Sequence, residues 1–155
     1  MNLSTVTHDT FVIERTYDVP VARVFGAWAD PVLKARWFAG SADALGAGYE
    51  LDFRVGGREV NRGGPPGGPV YTYESELRDI IPEQRIVYTY EMYADEYRIS
   101  VSVATVLFSG QDAKSQLVLT EQGVVLDGHD TVAQREAGTR SLLDSLAASL
   151  NGGGS

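Results

Sequence analysis

The sequence predicts an α+β domain in which an antiparallel sheet is wrapped around one long C-terminal helix. Two observations support this fold class. Segments with alternating apolar residues follow one another without intervening helices, which is typical of an antiparallel meander. Residues 131–150 then change to helical spacing. At 155 residues the chain has the usual length of one domain, which we assign to residues 1–150.

The N-terminal part is predicted to form one strand and two short helices. Residues 10–17 are rich in β-branched and aromatic side chains, which favour a strand. Pro20 then precedes the segment VARVFGAW, whose apolar residues have helical spacing, and the proline suits a first helical position. Asp30 followed by Pro31 repeats this kind of helix start, so a second short helix is expected to run to Trp37.

Strands are then predicted at residues 49–55, 70–80, 86–93, 98–108 and 115–122. Gly56-Gly57 has the composition of a two-residue hairpin turn, which returns the chain through Arg58 and Val60. Alternation gives each strand one apolar face, with Ser100 and Ser102 on the opposite face of theirs. The predicted apolar faces carry Tyr49, Leu51, Phe53 and Val55; Tyr71, Tyr73, Ser75 and Leu77; Ile86, Tyr88, Tyr90 and Met92; Ile99, Val101, Val103 and Leu107; and Leu117, Leu119 and Glu121.

The segment Asn61–Pro69 reads NRGGPPGGP and is predicted to be a long loop within the sheet. Glycine is too free for a regular element and proline removes backbone donors. The loop is either a mobile connection without a task or a lid over a pocket. We expect residues 62–68 to be among the most mobile of the chain.

The final helix is predicted to start at Thr131, which has capping-box spacing to Gln134. Its apolar stripe should be buried against the sheet, because the sheet offers the only large apolar surface. The stripe consists of Val132, Thr139, Leu142, Leu143, Leu146 and Leu150. Residues 151–155 are predicted to be a flexible Gly-rich tail.

Composition and charge limit the classes of partner and of chemistry that the chain can be expected to have. The formal net charge is −8 and the pI is near 4.7, so nucleic acid and anionic membranes are poor partners. The chain has no cysteine, which excludes disulfides, thiol catalysis and cysteine metal sites. Neither a leader sequence nor an apolar stretch of about 20 residues is present, so a cytoplasmic location is expected.

Two stretches resemble a known superfamily. FVIERTYDVPVARVFGAWADPVLKARWF is similar to the N-terminal signature of the START-like, birch-pollen-allergen-like (SRPBCC) superfamily. SQLVLTEQGVVLDGHD, followed by REAGTRSLLDSLAASL, resembles the last strand and closing helix of one branch. That branch is related to the C-terminal domain of activators of the heat-shock-protein-90 ATPase and is polyketide-cyclase-like. The resemblance covers residues 11–150 and implies a helix-grip fold; Thr139 stands where many members carry Trp.

Aromatic side chains on the predicted inner faces suggest a pocket. Eight tyrosines is a high count for this length, and tyrosine combines an apolar ring with a hydroxyl that needs a partner. Trp28, Trp37 and Tyr71 lie near the same faces. The alternative is that all these rings fill the core without forming a pocket. The predicted ligand-binding residues are Trp37, Phe53, Arg58, Tyr73, Tyr90, Met92 and Glu121.

Glu121 is the most informative polar residue, because alternation places its carboxylate on the face of Leu117 and Leu119. A buried carboxylate must be paired or neutralised. Arg58 is a candidate partner if Gly56-Gly57 is a two-residue turn, and Arg135 is another. Glu121 is then a polar anchor for a ligand or a general base; the alternative is a structural salt bridge.

Other chemistries lack their motifs. The run from Asp127 to Asp130 contains His129 but no distant further ligand, so a turn before the helix explains it better than a metal site. There is no G-x-S-x-G elbow and no P-loop, and no cofactor is predicted.

The predicted function is binding of a small hydrophobic molecule, apolar or aromatic, in a cavity between sheet and C-terminal helix. One alternative is a cyclase- or hydrolase-type enzyme that uses Glu121 with Tyr or Arg. The other is a co-chaperone-like protein-interaction domain with a chaperone as partner. A homodimer is left open.

Overall fold

A seven-stranded antiparallel sheet packs around the C-terminal helix in the computed structural model, which describes residues 5–151. The strands are β1 (Val6–Tyr17), β2 (Tyr49–Leu51), β3 (Arg58–Gly63), β4 (Tyr71–Ile81), β5 (Arg85–Ala94), β6 (Tyr97–Gln111) and β7 (Lys114–Leu126). The helices are α1 (Val21–Ala29), α2 (Pro31–Phe38) and α3 (Val132–Asn151), with a 3₁₀ turn at Ala42–Ala44. The strand order is β1-β7-β6-β5-β4-β3-β2. The predicted fold class is confirmed.

Local signals explain the two short helices. The Asp30 carboxylate accepts hydrogen bonds from the backbone N–H groups of Val32 and Leu33, at 2.9 and 3.1 Å. This caps α2, whose first residue is Pro31. Pro20 precedes α1 as its N-terminal cap rather than as its first helical residue. Helix α1 packs on β6 and β7, whereas α2 packs on α1, α3 and β2.

Helix α3 buries its leucines on the inner face of the sheet, which we define as the face toward α3. Leu143, Leu146 and Leu150 are buried, and Leu142 is partly buried against the same core. The Thr131 hydroxyl accepts a 3.0 Å hydrogen bond from the backbone N–H of Gln134, as the capping spacing predicts. The helix continues to Asn151, one residue into the predicted tail, and residues 152–155 lie outside the described part.

The edge hairpin differs from the prediction. Strand β2 ends at Leu51, and residues 52–57 form a wide turn in which Gly56 N–H bonds to the carbonyl of Leu77 at 2.7 Å. A Cβ at Gly57 would lie 2.0 Å from the Asp52 carbonyl oxygen, so the chain folds back too closely for any other residue. Leu51 pairs with Glu59, which places Glu59 rather than Arg58 on the inner face. The prediction that Arg58 lies on the inner face was therefore wrong.

The predicted faces of β6 are also wrong. The strand buries Ser100, Ser102, Ala104, Val106 and Phe108, while Val101, Val103 and Leu107 are exposed on the outer face. A bulge in the pairing of β5 and β6 leaves Ile99 without a partner residue, so Ile99 and Ser100 are buried in succession. Alternation alone was misleading because β-branched residues occupy the outer face and serines the inner one.

The loop between β3 and β4 is shorter than predicted. Strand β3 extends to Gly63, so the irregular part covers residues 64–70. The Asp95 carboxylate accepts a 2.9 Å hydrogen bond from Val70 N–H, and Asp95 N–H donates to the Val70 carbonyl at 2.7 Å. These bonds attach the end of the loop to the turn between β5 and β6. A role as a lid or as an interface stays a prediction.

Candidate functional site

Small polar residues form one row across the inner face of the sheet. Pairing of neighbouring strands aligns Glu59, Ser75, Tyr90, Ser102 and Gly123 from β3 to β7. Serine and glycine have side chains too short to fill the space between a sheet and a helix packed on it. The three short residues therefore leave room below α3, and Glu59 and Tyr90 are the two long side chains of the row.

A cavity of about 510 Å³ lies between this part of the sheet and the N-terminal half of α3. Its sheet side is lined by Asn61, Tyr71, Tyr73, Tyr90, Met92 and Ile99. Its other side is lined by Phe38, His129, Asp130, Gln134, Arg135, Gly138, Thr139 and Leu142. Thr139 thus lies in the wall of the cavity.

Aromatic rings form a continuous wall of this cavity. The ring of Tyr73 lies between those of Phe38 and Tyr90, with centroid distances of 5.0 and 4.8 Å. Tyr88, which packs on the core and does not line the cavity, continues the series of rings at 6.1 Å from Tyr90. Burial raises the pKa of Tyr73 and of Tyr88, so both hydroxyls keep their protons. The wall offers flat apolar surface together with hydrogen-bond donors.

Glu121 lies beneath this wall and is connected to it. The residue is only 3% exposed, and its Oε2 accepts a 2.7 Å hydrogen bond from the Tyr90 hydroxyl. Nη1 of Arg135 donates to the Tyr90 hydroxyl oxygen at 3.5 Å, and Nη2 donates to the Asp130 carboxylate at 2.8 Å. A chain of polar groups therefore runs from the buried carboxylate through Tyr90 and Arg135 to the start of α3.

Burial is the largest influence on the pKa of Glu121. It raises the pKa of Glu121 above its ordinary value, although the Tyr90 hydrogen bond and the Arg135 charge act in the opposite direction. Burial also raises the pKa of Tyr90, and the Glu121 carboxylate adds to that effect. Tyr90 is therefore a donor, and Glu121 is a carboxyl group that takes up a proton more readily than an exposed one. Such a pair can hold or transfer a proton.

A second buried polar cluster was missed by sequence reasoning. Nζ of Lys34 donates to Oε2 of Glu59 at 2.8 Å, and the Tyr49 hydroxyl donates to the same oxygen at 2.5 Å. The Lys34 ammonium also lies 4.4 Å from the ring centroid of Phe38 and 4.9 Å from that of Trp28. The spacing of Lys34 to Trp37 and Phe38 is i, i+3 and i+4, which signals a shared helix face that was readable in the sequence.

The structure brings together some of the predicted site residues and separates others. Tyr73, Tyr90 and Met92 line the cavity, whereas Glu121 does not line it and is connected to it through the Tyr90 hydroxyl. Trp37 and Phe53 belong instead to the core: Trp37 Nε1 donates to the Ala27 carbonyl at 2.9 Å, and Phe53 packs on Phe25.

Arg58 does not reach Glu121. Its side chain is 64% exposed and lies 3.8 Å from the Glu74 carboxylate, because the wide turn reverses its predicted face. Arg135, the other predicted partner, is the cation near Glu121.

Acidic residues and histidines do not gather into a metal site in the described part of the chain. Residues 5–151 contain no group of three or more His, Cys, Asp or Glu side chains that could hold a metal ion. The His129 ring stacks on Tyr97 at 5.8 Å, and Asp130 is bound to Arg135. Within the same range, no helix is both long and apolar enough to cross a membrane.

Solved structures with the same architecture are numerous. A protein from Rhizobium leguminosarum is 40% identical with a TM-score of 0.91, over 98% of this chain and 100% of that chain. Mll3558 from Rhizobium loti is 43% identical with a TM-score of 0.86, over 94% and 99%. CalU16 from Micromonospora echinospora shares the fold at 18% identity and a TM-score of 0.61, over 96% and 86%.

No curated protein matches the chain significantly. The family described as Activator of Hsp90 ATPase homolog 1-like protein matches residues 18–151. This match covers most of the chain and confirms the resemblance drawn from the two sequence stretches. The chain therefore belongs to the family of Activator of Hsp90 ATPase homolog 1-like proteins.

Proposed function

We propose that the chain binds an apolar or aromatic small molecule in the cavity between the sheet and α3. The observation that carries the proposal is the composition of this cavity: seven aromatic and aliphatic residues line it together with six polar ones, four of which lie at or near the start of α3. Its volume of about 510 Å³ lies within the range of roughly 300–1,000 Å³ that is typical of ligand sites. A ligand of matching size would cover the Tyr73 and Tyr90 rings.

Polar groups at one end of the cavity favour a ligand with a polar end. Arg135 and the Tyr90 hydroxyl lie there, and the Asp130 carboxylate holds the Arg135 guanidinium in place. A molecule with an apolar body and one hydrogen-bonding end would therefore bind in a defined orientation. A purely aliphatic ligand would leave these groups without new partners and bind more weakly.

A second candidate function is proton-transfer catalysis of the cyclase or hydrolase type. The raised pKa of Glu121 and its hydrogen bond from Tyr90 favour this candidate, because a general acid or base needs a shifted pKa at a cavity. The two candidates share one site. They differ in whether the bound molecule is released unchanged or is converted to a product.

The test is binding of a fluorescent hydrophobic probe, together with native mass spectrometry of the purified protein. Tyr90→Ala removes a central wall residue and should weaken probe binding by on the order of tenfold. Tyr93→Ala is the matched control, because Tyr93 does not line the cavity and its hydroxyl bonds to Glu91. Equal affinity of the wild type and Tyr90→Ala would contradict the proposal.

The same preparation separates binding from catalysis and from protein interaction. Glu121→Gln should retain probe binding, and loss of turnover of a co-purified ligand in this variant would support the enzyme. Capture of a chaperone by a protein whose cavity does not bind the probe would instead favour an interaction domain.

A further inference from the structure

A second, much smaller pocket lies on the far side of Glu121, between β1, β6, β7 and the start of α3. Its volume is about 10 Å³, which is close to the space that one water molecule needs. Polar residues supply half of its lining: Asp9, Ser100, Ser102, Glu121 and Arg135. Asp9 is exposed, so the pocket reaches the surface at the β1 edge of the sheet. This place is distinct from the mouth of the ligand cavity.

Two of these residues carry buried polar atoms that need a partner. Ser100 Oγ and Arg135 Nε are buried and have no hydrogen-bond partner within residues 5–151. Leaving such a group unsatisfied costs about 1–3 kcal/mol, so buried polar atoms are normally paired with protein or with ordered water. Buried waters typically make 2–4 hydrogen bonds, and the lining offers that number of partners.

Gly123 shows that the local structure tolerates no larger residue beside this pocket. A Cβ at this position would lie 2.5 Å from Ser102 Oγ and 2.9 Å from the Val101 carbonyl oxygen. Gly123 lies within β7 at a backbone conformation that other residues adopt, so no turn requires a glycine there. The requirement is space, on the same inner face as Glu121.

We propose that this pocket binds one water molecule, which links Arg135 Nε, Ser100 Oγ and the Glu121 carboxyl group and connects Glu121 to solvent near Asp9. The water accepts a hydrogen bond from Arg135 Nε–H and donates one to Glu121. When it passes a proton to the carboxylate, it takes one from solvent, so its own charge is unchanged. A ligand that covers Tyr90 on the cavity side would leave this route open.

Few titratable or charged side chains lie near Glu121 and the proposed water. The titratable or charged groups that face Glu121 are Tyr88 and Tyr90 from β5 and Arg135 from α3, with Asp9 at the rim on β1. Ser102 adds an uncharged hydroxyl from β6. Both tyrosines keep their protons, but the Ser102 hydroxyl also lowers the pKa of Glu121 and would lie 2.5 Å from a Cβ at Gly123. A change in Glu121 titration in Ser100→Ala, which leaves Ser102 in place, is therefore the more direct report on the water.

The experiment combines a high-resolution crystal structure with an NMR titration of the Glu121 carboxyl carbon. The wild type should show one ordered water within hydrogen-bond distance of Ser100 Oγ and Arg135 Nε. Ser100→Ala removes one partner, and Gly123→Ala occupies the space; both should displace the water and shift the Glu121 pKa upward. Gly26→Ala is the control, because a Cβ there meets nothing within 4 Å.

Two results would overturn the proposal. One is a wild-type map in which Ser100 and Arg135 bond to protein atoms and no water is present. The other is a Glu121 pKa that is unchanged in Ser100→Ala, or that moves equally in Gly26→Ala. If Gly123→Ala fails to fold, Ser100→Ala carries the test alone, because it deletes a single hydroxyl.

Discussion

The Tyr90 hydroxyl donates a 2.7 Å hydrogen bond to Oε2 of Glu121, and this bond joins the wall of the cavity to a carboxyl group buried beneath it. The Tyr90 ring lines the cavity, while its hydroxyl donates to Glu121 and accepts from Arg135. Any molecule that moves the ring must therefore change the surroundings of Glu121. The proposed binding in the cavity would therefore be coupled to protonation of Glu121 through one side chain.

Tyr90→Phe separates the two roles of this residue. The ring remains, so affinity for a hydrophobic probe should stay within a few-fold of the wild type. The hydrogen bond to the charged carboxylate is lost, so the pKa of Glu121 should rise further. An NMR titration of the Glu121 carboxyl carbon measures this. The control is Tyr93→Phe, which removes a hydroxyl that bonds to Glu91 and should leave the Glu121 titration unchanged.

Lys34→Met should destabilise the protein by roughly 3–5 kcal/mol, because it leaves Glu59 buried without its cation. Urea unfolding at neutral pH measures the loss. Arg54→Met is the matched control: Arg54 and Asp52 are 2.7 Å apart, but both side chains are more than half exposed, and such pairs contribute about 0–1 kcal/mol.

A second variant shows whether the effect belongs to the pair. In the double variant Lys34→Met, Glu59→Leu no unpaired charge remains, so part of the lost stability should return. Equal losses for Lys34→Met and Arg54→Met would mean that the buried pair has no special weight.

Much of the fold follows from local patterns. In β7, apolar residues alternate with polar ones, so the shared inner face of Leu117, Leu119 and Glu121 was predicted correctly. Helix α3 was predicted because its leucine spacing and its Thr131 cap agree with each other. Where two independent signals agree, a single sequence is sufficient to predict the element and the face that it buries.

The parts that failed depend on pairing between strands. The inner position of Glu59 follows from its register opposite Leu51, and a turn of two residues instead of six would have reversed it. Lys34 was passed over because its partner lies on a distant strand. In β6, valine on the outer face and serine on the inner one gave the wrong face. The polar row on the inner face likewise depends on four strand pairings, which bring residues of five strands side by side.

Leu143→Ala tests the packing of α3 on the sheet. Leu143 is 1% exposed within the core, so truncation should reduce the free energy of unfolding by roughly 2–5 kcal/mol. Leu107→Ala makes the same chemical change on the outer face of β6, where Leu107 is 46% exposed, and should stay within about 0.5 kcal/mol. Chemical denaturation of both variants decides the matter, and similar losses would show that α3 is not packed as described.

Glu121→Gln should change how stability depends on pH. Burial raises the pKa of Glu121 in the folded state above the ordinary value of 4.5, so the folded chain holds this proton more tightly than the unfolded chain. The resulting stabilisation is complete below the ordinary value and is lost as pH rises through the folded pKa, because stability falls wherever the folded state binds more protons. Glutamine carries no titrating proton and keeps a carbonyl oxygen that accepts from Tyr90.

Urea unfolding of the wild type and of Glu121→Gln from below pH 4.5 upward isolates this effect, since all other titrating groups are common to both proteins. The wild type should lose stability relative to the variant as pH increases, and the difference should level off above the folded pKa. Glu14→Gln is the matched control, because it makes the same chemical change at an exposed position on β1. A wild type that gains stability over Glu121→Gln with rising pH would mean that Arg135 and Tyr90 outweigh burial, and that Glu121 is a paired carboxylate rather than a proton-holding one.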